Sequence, residues 1–155
     1  MTLEEKIVRK FQKEGWTLTT VESCTGGKVS AEIVNVPGAS DVLMQGLVTY
    51  SNEAKMHYVG VSEETLAAHG AVSEETAREM CEGAVKMTGT DAAVSTTGIA
   101  GPGGGTAEKP VGLVYIGATL HGHTEIRKLN IDGDRKDVRN QACEEALKLL
   151  IAVME

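Results

Sequence analysis

Three runs of β-branched and apolar residues each lead directly into a segment rich in glycine, serine or threonine, and this alternation is what most constrains the fold. The runs cover 17–21, 42–50 and 92–96, and the segments after them cover 22–27, 50–55 and 97–106. Runs bounded in this way are typical of strands. The segments between these runs have apolar residues at helical spacing, and a hairpin pattern follows over 111–131. The sequence therefore predicts one α/β domain over 1–155, a three-layer α/β/α sandwich on a mixed β-sheet.

Local signals mark where the shorter helices begin. Asn52 is expected to be the N-cap of a short helix that contains Lys55, while Ser62 and Ser73, each followed by two acids, are expected to cap two further helices. His121-Gly122-His123 is expected to join the two strands of the hairpin.

Composition excludes several classes of protein. The chain has 15 Lys and Arg against 22 Asp and Glu, a formal net charge of −7, and it has one Trp and one Phe. A general nucleic-acid binder would show a basic footprint or aromatic stacking platforms. No apolar run approaches the roughly 20 residues of a membrane helix, and the charged N-terminus is unlike a signal peptide. Three widely spaced cysteines indicate reduced thiols, so we expect a cytoplasmic protein without membrane or nucleic-acid partners.

The first glycine-rich segment places Ser23 at the end of a strand and just before Gly26 and Gly27. Backbone N–H groups at such a turn suit a nucleophile with an oxyanion hole, or a phosphate site. The structural alternative is that Ser23 or Thr25 only caps the following helix. Cys24 is a second possible nucleophile, for which a small buried thiol is the simpler interpretation.

The second segment brings Tyr50 and Lys55 to the end of the next strand. A lysine in the first turn of a helix faces the positive end of the dipole, and partial burial lowers its pKa further. A neutral amine is what a general base beside a serine must be, and Tyr50 could hydrogen-bond between the two. The alternative is a solvated lysine with a tyrosine packed at the sheet edge.

The third segment contains Gly98, Gly101, Gly103, Gly104 and Gly105, and ends at Thr106. Ordering so many glycines is entropically costly, which favours a loop that cradles a ligand over a flexible surface loop. The segment leads into a strand and not a helix, so it is not a dinucleotide fingerprint. The histidines show no ligand spacing, and we expect neither a metal nor a cofactor.

Motifs along nearly the whole chain, in the same order, resemble the CinA C-terminal domain family of nicotinamide-nucleotide amidases. The matching segments are Glu22-Ser-Cys-Thr-Gly-Gly27, Val36-Pro-Gly38, Tyr50-Ser-Asn52 with Lys55, Gly70-Ala-Val-Ser73, Thr97-Gly-Ile-Ala-Gly-Pro102, Lys109-Pro-Val-Gly112 and Gly133-Asp-Arg135. The resemblance implies a stand-alone nicotinamide mononucleotide deamidase that releases nicotinate mononucleotide and ammonia in pyridine-nucleotide recycling. It also implies Ser23 as the nucleophile, Lys55 as the base and Tyr50 as the residue that positions or relays the proton.

The remaining expectations concern the substrate and the partners. The expected substrate-binding residues are Cys24, Thr25, Gly26, Gly27, Thr97, Gly98, Ala100, Gly101, Gly103, Gly104, Gly105 and Thr106. The sequence does not place Arg135 or Lys109 relative to the site. A homo-oligomer is expected. The open alternatives are a non-catalytic nucleotide-binding or regulatory module with the same pocket, an amidase of the same mechanism with another substrate, and a thiol enzyme using Cys24.

Overall fold

A computed structural model describes residues 1–155 and shows a five-stranded mixed sheet. The strands are β1 (Leu18–Glu22), β2 (Leu43–Val48), β3 (Ala92–Gly98), β4 (Leu113–Leu120) and β5 (His123–Asn130). Their order across the sheet is β2-β1-β3-β4-β5. β1 pairs in parallel with β2 and β3, whereas β4 and β5 run antiparallel to their neighbours. The sheet is mixed because the βα units supply parallel strands and the hairpin supplies antiparallel ones.

Six α-helices cover both faces of the sheet. They are α1 (Leu3–Glu14), α2 (Lys28–Val34), α3 (Asn52–Val59), α4 (Glu63–His69), α5 (Glu74–Thr88) and α6 (Arg135–Met154), and a 3₁₀ turn spans Ala39–Asp41. The first, second and sixth helices pack with the sheet around the larger core, which contains Phe11, Ile33 and Leu150. The third and fifth helices enclose a smaller core on the other face around Met80. None of the helices combines the length and apolar composition needed to cross a lipid bilayer.

The predicted three-layer α/β/α sandwich is confirmed. The bounds of the first three strands differ by one or two residues from the predicted runs, and one helix cap and the hairpin turn also differ. Ser51, and not Asn52, is the N-cap of α3, because its side chain accepts the backbone N–H of Ala54. The hairpin turn contains only His121 and Gly122, which both have positive φ, so His123 already belongs to β5. Positive φ at both central residues is what a tight type I′ turn requires. Ser62 and Ser73 cap α4 and α5 as predicted.

The register of the parallel strands brings three chain segments to one edge of the sheet. Glu22, the last residue of β1, lies opposite Val48 of β2 and Thr96 of β3. The residues that follow each strand therefore emerge side by side. Ligands of open α/β sheets bind at this carboxyl edge, and the structure places the three glycine- and serine-rich segments there.

Gly83 allows α3 and α5 to approach closely. A Cβ at Gly83 would overlap the backbone carbonyl oxygen of Val59 at the end of α3. A glycine inside an exposed helix normally costs about 1 kcal/mol relative to alanine. Here the helix-packing contact outweighs that preference.

Gly83→Ala is therefore expected to lower the free energy of unfolding, by the roughly 1–3 kcal/mol typical of overpacking, although helix propensity alone predicts stabilisation. Urea unfolding measures this. Met87→Ala serves as the control, because Met87 lies on the same helix with its side chain 61% exposed. A Gly83→Ala protein more stable than the parent would show that the two helices can separate without cost.

Candidate active site

A cavity of about 180 Å³ lies at the carboxyl edge of the parallel strands. Its walls come from the ends of β1 and β3, from the segment after β2 and from the loop before α5. The lining residues are Ser23, Cys24, Tyr50, Lys55, Ala71, Val72, Thr97, Gly98, Ala100 and Arg135.

Ser23 directly follows the last residue of β1, and the neighbouring strand β3 holds its backbone. Its backbone N–H donates to the carbonyl of Thr96 at 3.0 Å and to Thr96 Oγ1 at 3.3 Å. The side chain is 8% exposed. Sheet pairing thus continues one residue beyond β1 and fixes the backbone from which the Ser23 hydroxyl projects into the cavity.

Glu22 anchors the turn that follows Ser23. Its fully buried carboxylate accepts the hydroxyl of Thr25 at 2.6 Å and the backbone N–H groups of Gly27, Val29 and Ser30 at 3.1, 2.9 and 3.1 Å. The Ser30 hydroxyl also donates to it, at 3.2 Å. A negative charge at a helix N-terminus is favourable, and it satisfies donors that have no partner within the helix. The carboxylate therefore acts as the cap of α2, a role that the sequence analysis did not assign.

Lys55 lies buried in the first turn of α3, with 1% of its surface exposed. Its Nζ donates to Ser23 Oγ at 3.0 Å, to the carbonyl of Thr49 at 2.8 Å and to the carbonyl of Tyr50 at 3.3 Å. No carboxylate forms a salt bridge with it. The ammonium form is consequently hydrogen-bonded but not charge-compensated.

Burial lowers the pKa of Lys55 from 10.5 to about 8, since desolvation disfavours the ammonium form. A neutral amine has two N–H donors and one lone pair. The carbonyls of Thr49 and Tyr50 take the two donors, which leaves the lone pair facing the Ser23 hydroxyl. This geometry suits acceptance of the Ser23 proton.

Cys24 lines the same cavity but is poorly suited to act as a nucleophile. Burial raises the pKa of its thiol to about 11, so the thiol stays protonated near neutral pH.

Arg139 of α6 binds the main chain of the turn after β1. Its Nε donates to the carbonyl of Cys24 and its Nη2 to that of Thr25, both at 3.0 Å. These hydrogen bonds connect the turn to α6, a contact that no local sequence signal indicated.

The backbone donors of this turn are not equivalent. The N–H groups of Gly26 and Gly27 already donate to Ser23 and Glu22, so they are not free to hold an oxyanion. The N–H groups of Cys24 and Thr25 donate no hydrogen bond within the protein. Of the backbone N–H groups of residues 24–27, only those of Cys24 and Thr25 are therefore candidates to bind an oxyanion.

Tyr50 does not bridge Ser23 and Lys55 as the sequence analysis suggested. Its side chain is 63% exposed at the cavity mouth, and its hydroxyl accepts from Arg135 Nη2 at 3.3 Å. Arg135 Nη1 also donates to the carbonyl of Gly101 at 2.8 Å. The main-chain carbonyl of Tyr50, not its hydroxyl, contacts Lys55. Lys55 reaches Ser23 directly, so no relay is needed between them.

The loop before α5 forms part of the cavity wall, and sequence reasoning did not assign it to the site. Ala71 and Val72 line the cavity, and the buried Thr97 hydroxyl donates to the carbonyl of Ala71 at 2.7 Å. The Ser73 hydroxyl donates to the carbonyl of Gly70. A Gly-Ala-Val-Ser segment that ends at the helix cap Ser73 was the available signal for these residues.

The glycine-rich loop lies beside the cavity and contributes to it only at its start. Gly98 and Ala100 line the cavity, whereas the loop from 101 to 106 does not. The backbone N–H groups of Ala100, Gly101, Gly103, Gly104 and Gly105 donate no hydrogen bond within the protein. Thr106 closes the loop by exchanging hydrogen bonds with Lys109. Lys109 Nζ donates to the carbonyl of His69 and lies outside the cavity.

The predicted residues thus divide into two groups. The cavity brings together Ser23, Cys24, Tyr50, Lys55, Thr97, Gly98 and Ala100. The predicted residues that do not line it are Thr25, Gly26, Gly27, Gly101, Gly103, Gly104, Gly105 and Thr106. The chain contains no cluster of three or more His, Cys, Asp or Glu side chains arranged to hold a metal ion.

The fold and the cavity define an α/β protein with a buried serine–lysine pair at the carboxyl edge of its parallel strands. The chain belongs to the family of the CinA C-terminal domain, whose model matches residues 1–154. It is 56% identical over 146 residues to a CinA-like protein of Kosmotoga olearia, which covers 94% of this chain and 35% of that protein. The chain spans about a third of the length of the curated relatives it matches.

Solved structures carry the same fold. The competence/damage inducible protein CihA of Agrobacterium tumefaciens superposes with a TM-score of 0.96 at 41% identity, covering 99% of this chain and 94% of that one. A CinA superfamily protein of Escherichia coli superposes with a TM-score of 0.94 at 31% identity, covering 97% of this chain and 88% of that one. The sequence-based assignment to this family is confirmed.

Glu22→Gln is expected to lower the free energy of unfolding by about 1–3 kcal/mol, because glutamine has one acceptor oxygen and presents its own N–H groups to buried donors. Chemical denaturation measures the loss. Glu32→Gln is the matched control, since Glu32 lies on α2, the helix that Glu22 caps, and is only partly buried. Equal stability of the two variants would contradict the capping role of Glu22.

Proposed function

We propose that the protein hydrolyses the carboxamide of nicotinamide mononucleotide to nicotinate mononucleotide and ammonia. One contact supports this most strongly: the 3.0 Å hydrogen bond between Lys55 Nζ and Ser23 Oγ inside a cavity. A serine beside a buried amine is an arrangement that activates the hydroxyl for attack on an acyl carbon. The amide substrate is what the motif resemblance implies, and membership of the CinA C-terminal domain family is consistent with that resemblance.

In the first half of the reaction, neutral Lys55 accepts the Ser23 proton as Oγ bonds to the amide carbon. The carbonyl oxygen of the amide becomes an oxyanion, for which the N–H groups of Cys24 and Thr25 are the available backbone donors. Protonated Lys55 then gives its proton to the departing nitrogen. The carbon–nitrogen bond breaks, ammonia leaves, and the acyl group remains on Ser23 as an ester.

In the second half, Lys55 accepts a proton from water as the water oxygen attacks the ester carbon. The bond to Ser23 Oγ breaks, and the proton returns from Lys55 to that oxygen. The acid product carries the oxygen from water. Lys55 is suited to both directions because its pKa of about 8 lies near neutral pH.

Tyr50 enters this mechanism as a positioning residue. Its carbonyl, together with that of Thr49, fixes the Lys55 amine. Its hydroxyl faces Arg135, so a direct relay would require the side chain to leave that contact. Tyr50→Phe is therefore expected to keep kcat within about tenfold of the parent, whereas an obligatory proton relay supplies about 10²–10⁴ in rate. A larger loss of kcat at unchanged KM would assign the relay role to the hydroxyl.

Purified protein mixed with nicotinamide mononucleotide is expected to release ammonia without added metal, as measured by a coupled ammonia assay. Ser23→Ala removes the nucleophile and is expected to abolish release, while Cys24→Ala, with its backbone N–H intact, retains turnover. Activity that is lost with a chelator would contradict this mechanism. Nucleotide binding with no ammonia release would instead indicate a binding module.

The pH dependence follows from the Lys55 pKa. Since the base must be neutral, and only about a tenth of Lys55 is neutral at pH 7 with a pKa of about 8, kcat/KM is expected to rise about tenfold between pH 7 and pH 9 and then level off. Lys55→Arg is expected to be nearly inactive throughout, because arginine stays protonated. A flat profile, or near-normal rates in Lys55→Arg, would remove Lys55 from the mechanism.

A further inference from the structure

Three consecutive carbonyl groups between α4 and α5 each accept a hydrogen bond from a side chain on another part of the chain. The acceptors are His69, Gly70 and Ala71, and their donors, in that order, are the Lys109 ammonium, the Thr76 hydroxyl of α5 and the Thr97 hydroxyl of β3. We call residues 69–72 the clamped segment. Each hydrogen bond holds its backbone to a different part of the fold, so the path of the segment is fixed at every step.

The clamped segment forms part of the wall around the serine–lysine pair. Ala71 and Val72 line the cavity that contains this pair. Thr76 is 0% exposed and Thr97 is 1% exposed. Buried hydroxyls have no access to solvent and need a partner in the protein, and both of these have the segment's carbonyls. The position of the wall therefore depends on buried hydrogen bonds that lie outside the reacting groups.

Lys109 connects the clamped segment to the end of the glycine-rich loop. Its backbone is held by Thr106, whose hydroxyl accepts the Lys109 N–H at 3.0 Å and whose N–H donates to the Lys109 carbonyl at 2.8 Å. Its ammonium forms no salt bridge and donates to the last residue of α4. A cation is favourable there, because the carbonyls at a helix C-terminus lack partners within the helix.

Gly70 leaves room for the Lys109 ammonium. Its φ is +78°, and a Cβ built on it would lie 3.1 Å from Lys109 Nζ. Glycine adopts positive φ without strain, so the chain can turn here and keep the ammonium close. The Gly70-Ala-Val-Ser73 and Lys109-Pro-Val-Gly112 segments, to which the mechanism assigns no role, therefore meet at one contact.

We propose that Lys109 and Thr97 are positioning residues of the active site, which hold Ala71 and Val72 in place as a wall of the cavity. The proposal rests on the amidase function proposed above for the ligand that this wall contacts. Neither residue takes a proton in the reaction, because Lys109 lies outside the cavity and the Thr97 hydroxyl is committed to a backbone carbonyl. Loss of either hydrogen bond lets the clamped segment move while the contact between the serine and the lysine remains.

Alkylation of Cys24 reports the position of the wall without any substrate. Cys24 lines the cavity, whereas Cys81 lies in the smaller core and reports opening of the whole fold. The protein is treated with iodoacetamide at alkaline pH, and peptide mass spectrometry gives the ratio of labelling at the two thiols. Lys109→Met is expected to raise this ratio about tenfold over the parent, since it removes a hydrogen bond from a charged group. Lys109→Arg, which keeps the cation, is expected to restore it.

Two further variants complete this experiment. Thr97→Val keeps the volume of the side chain and removes its donor, so it is expected to raise the ratio, and Thr97→Ser is expected to restore it. Lys128→Met, the same change as Lys109→Met on exposed β5, is expected to leave the ratio unchanged. An unchanged ratio in Lys109→Met and Thr97→Val would overturn the proposal. Equal increases at both thiols would also overturn it, because they would show only a less stable fold.

Kinetics connect the wall to function. In Lys109→Met, KM for nicotinamide mononucleotide is expected to rise about tenfold while kcat stays within about threefold of the parent, because the wall contacts the ligand and not the proton-transfer pair. A loss confined to kcat would contradict a positioning role in binding. If the protein never releases ammonia, the amidase proposal fails, and the labelling ratio still decides the role of Lys109 and Thr97.

Discussion

A lysine ammonium buried without a carboxylate is the feature on which the rest of this site depends. Lys55 gives up nearly all of its solvent contact and gains three hydrogen bonds to neutral oxygens. Burying a charge without an opposite charge nearby is unfavourable, so the pKa of the amine falls and it loses its proton more readily. Burial of this charge lowers the stability of the fold. Such a loss is typical of catalytic sites, where a neutral amine beside a hydroxyl can accept its proton.

The surrounding structure holds this pair in place from both directions. On one side, Glu22 and Thr96 fix the turn that carries Ser23, and Arg139 ties that turn to α6. On the other side, close packing at Gly83 seats α3, the helix that carries Lys55. The two side chains lie far apart in sequence, so their 3.0 Å contact exists only through strand register and helix packing. Rigid elements of this kind position reacting groups better than loops do.

The sequence predicted the architecture well because periodicity and capping are local properties. The three-layer sandwich, the Ser62 and Ser73 caps and the shared carboxyl edge all follow from patterns within a few residues. Contacts between distant segments were beyond that reach. The Tyr50 hydroxyl contacts Arg135 and not Lys55. Ala71 is held at the site because its carbonyl accepts a hydrogen bond from the Thr97 hydroxyl. The N-cap of α3 is Ser51, one residue before the predicted Asn52. Serine and asparagine are comparable N-caps, so only the backbone geometry selects between them.

The state of the Lys55 amine can be observed directly. Selective carbon-13 labelling at lysine Cε, with Lys55→Met used to assign its resonance, allows its titration to be followed by NMR in the resting protein. The pairing of Lys55 with Ser23 predicts a pKa of about 8 for Lys55, well below the ordinary lysine value of 10.5. A Lys55 resonance that titrates at the ordinary lysine value of 10.5 would show that the amine is charged at neutral pH and cannot accept the Ser23 proton.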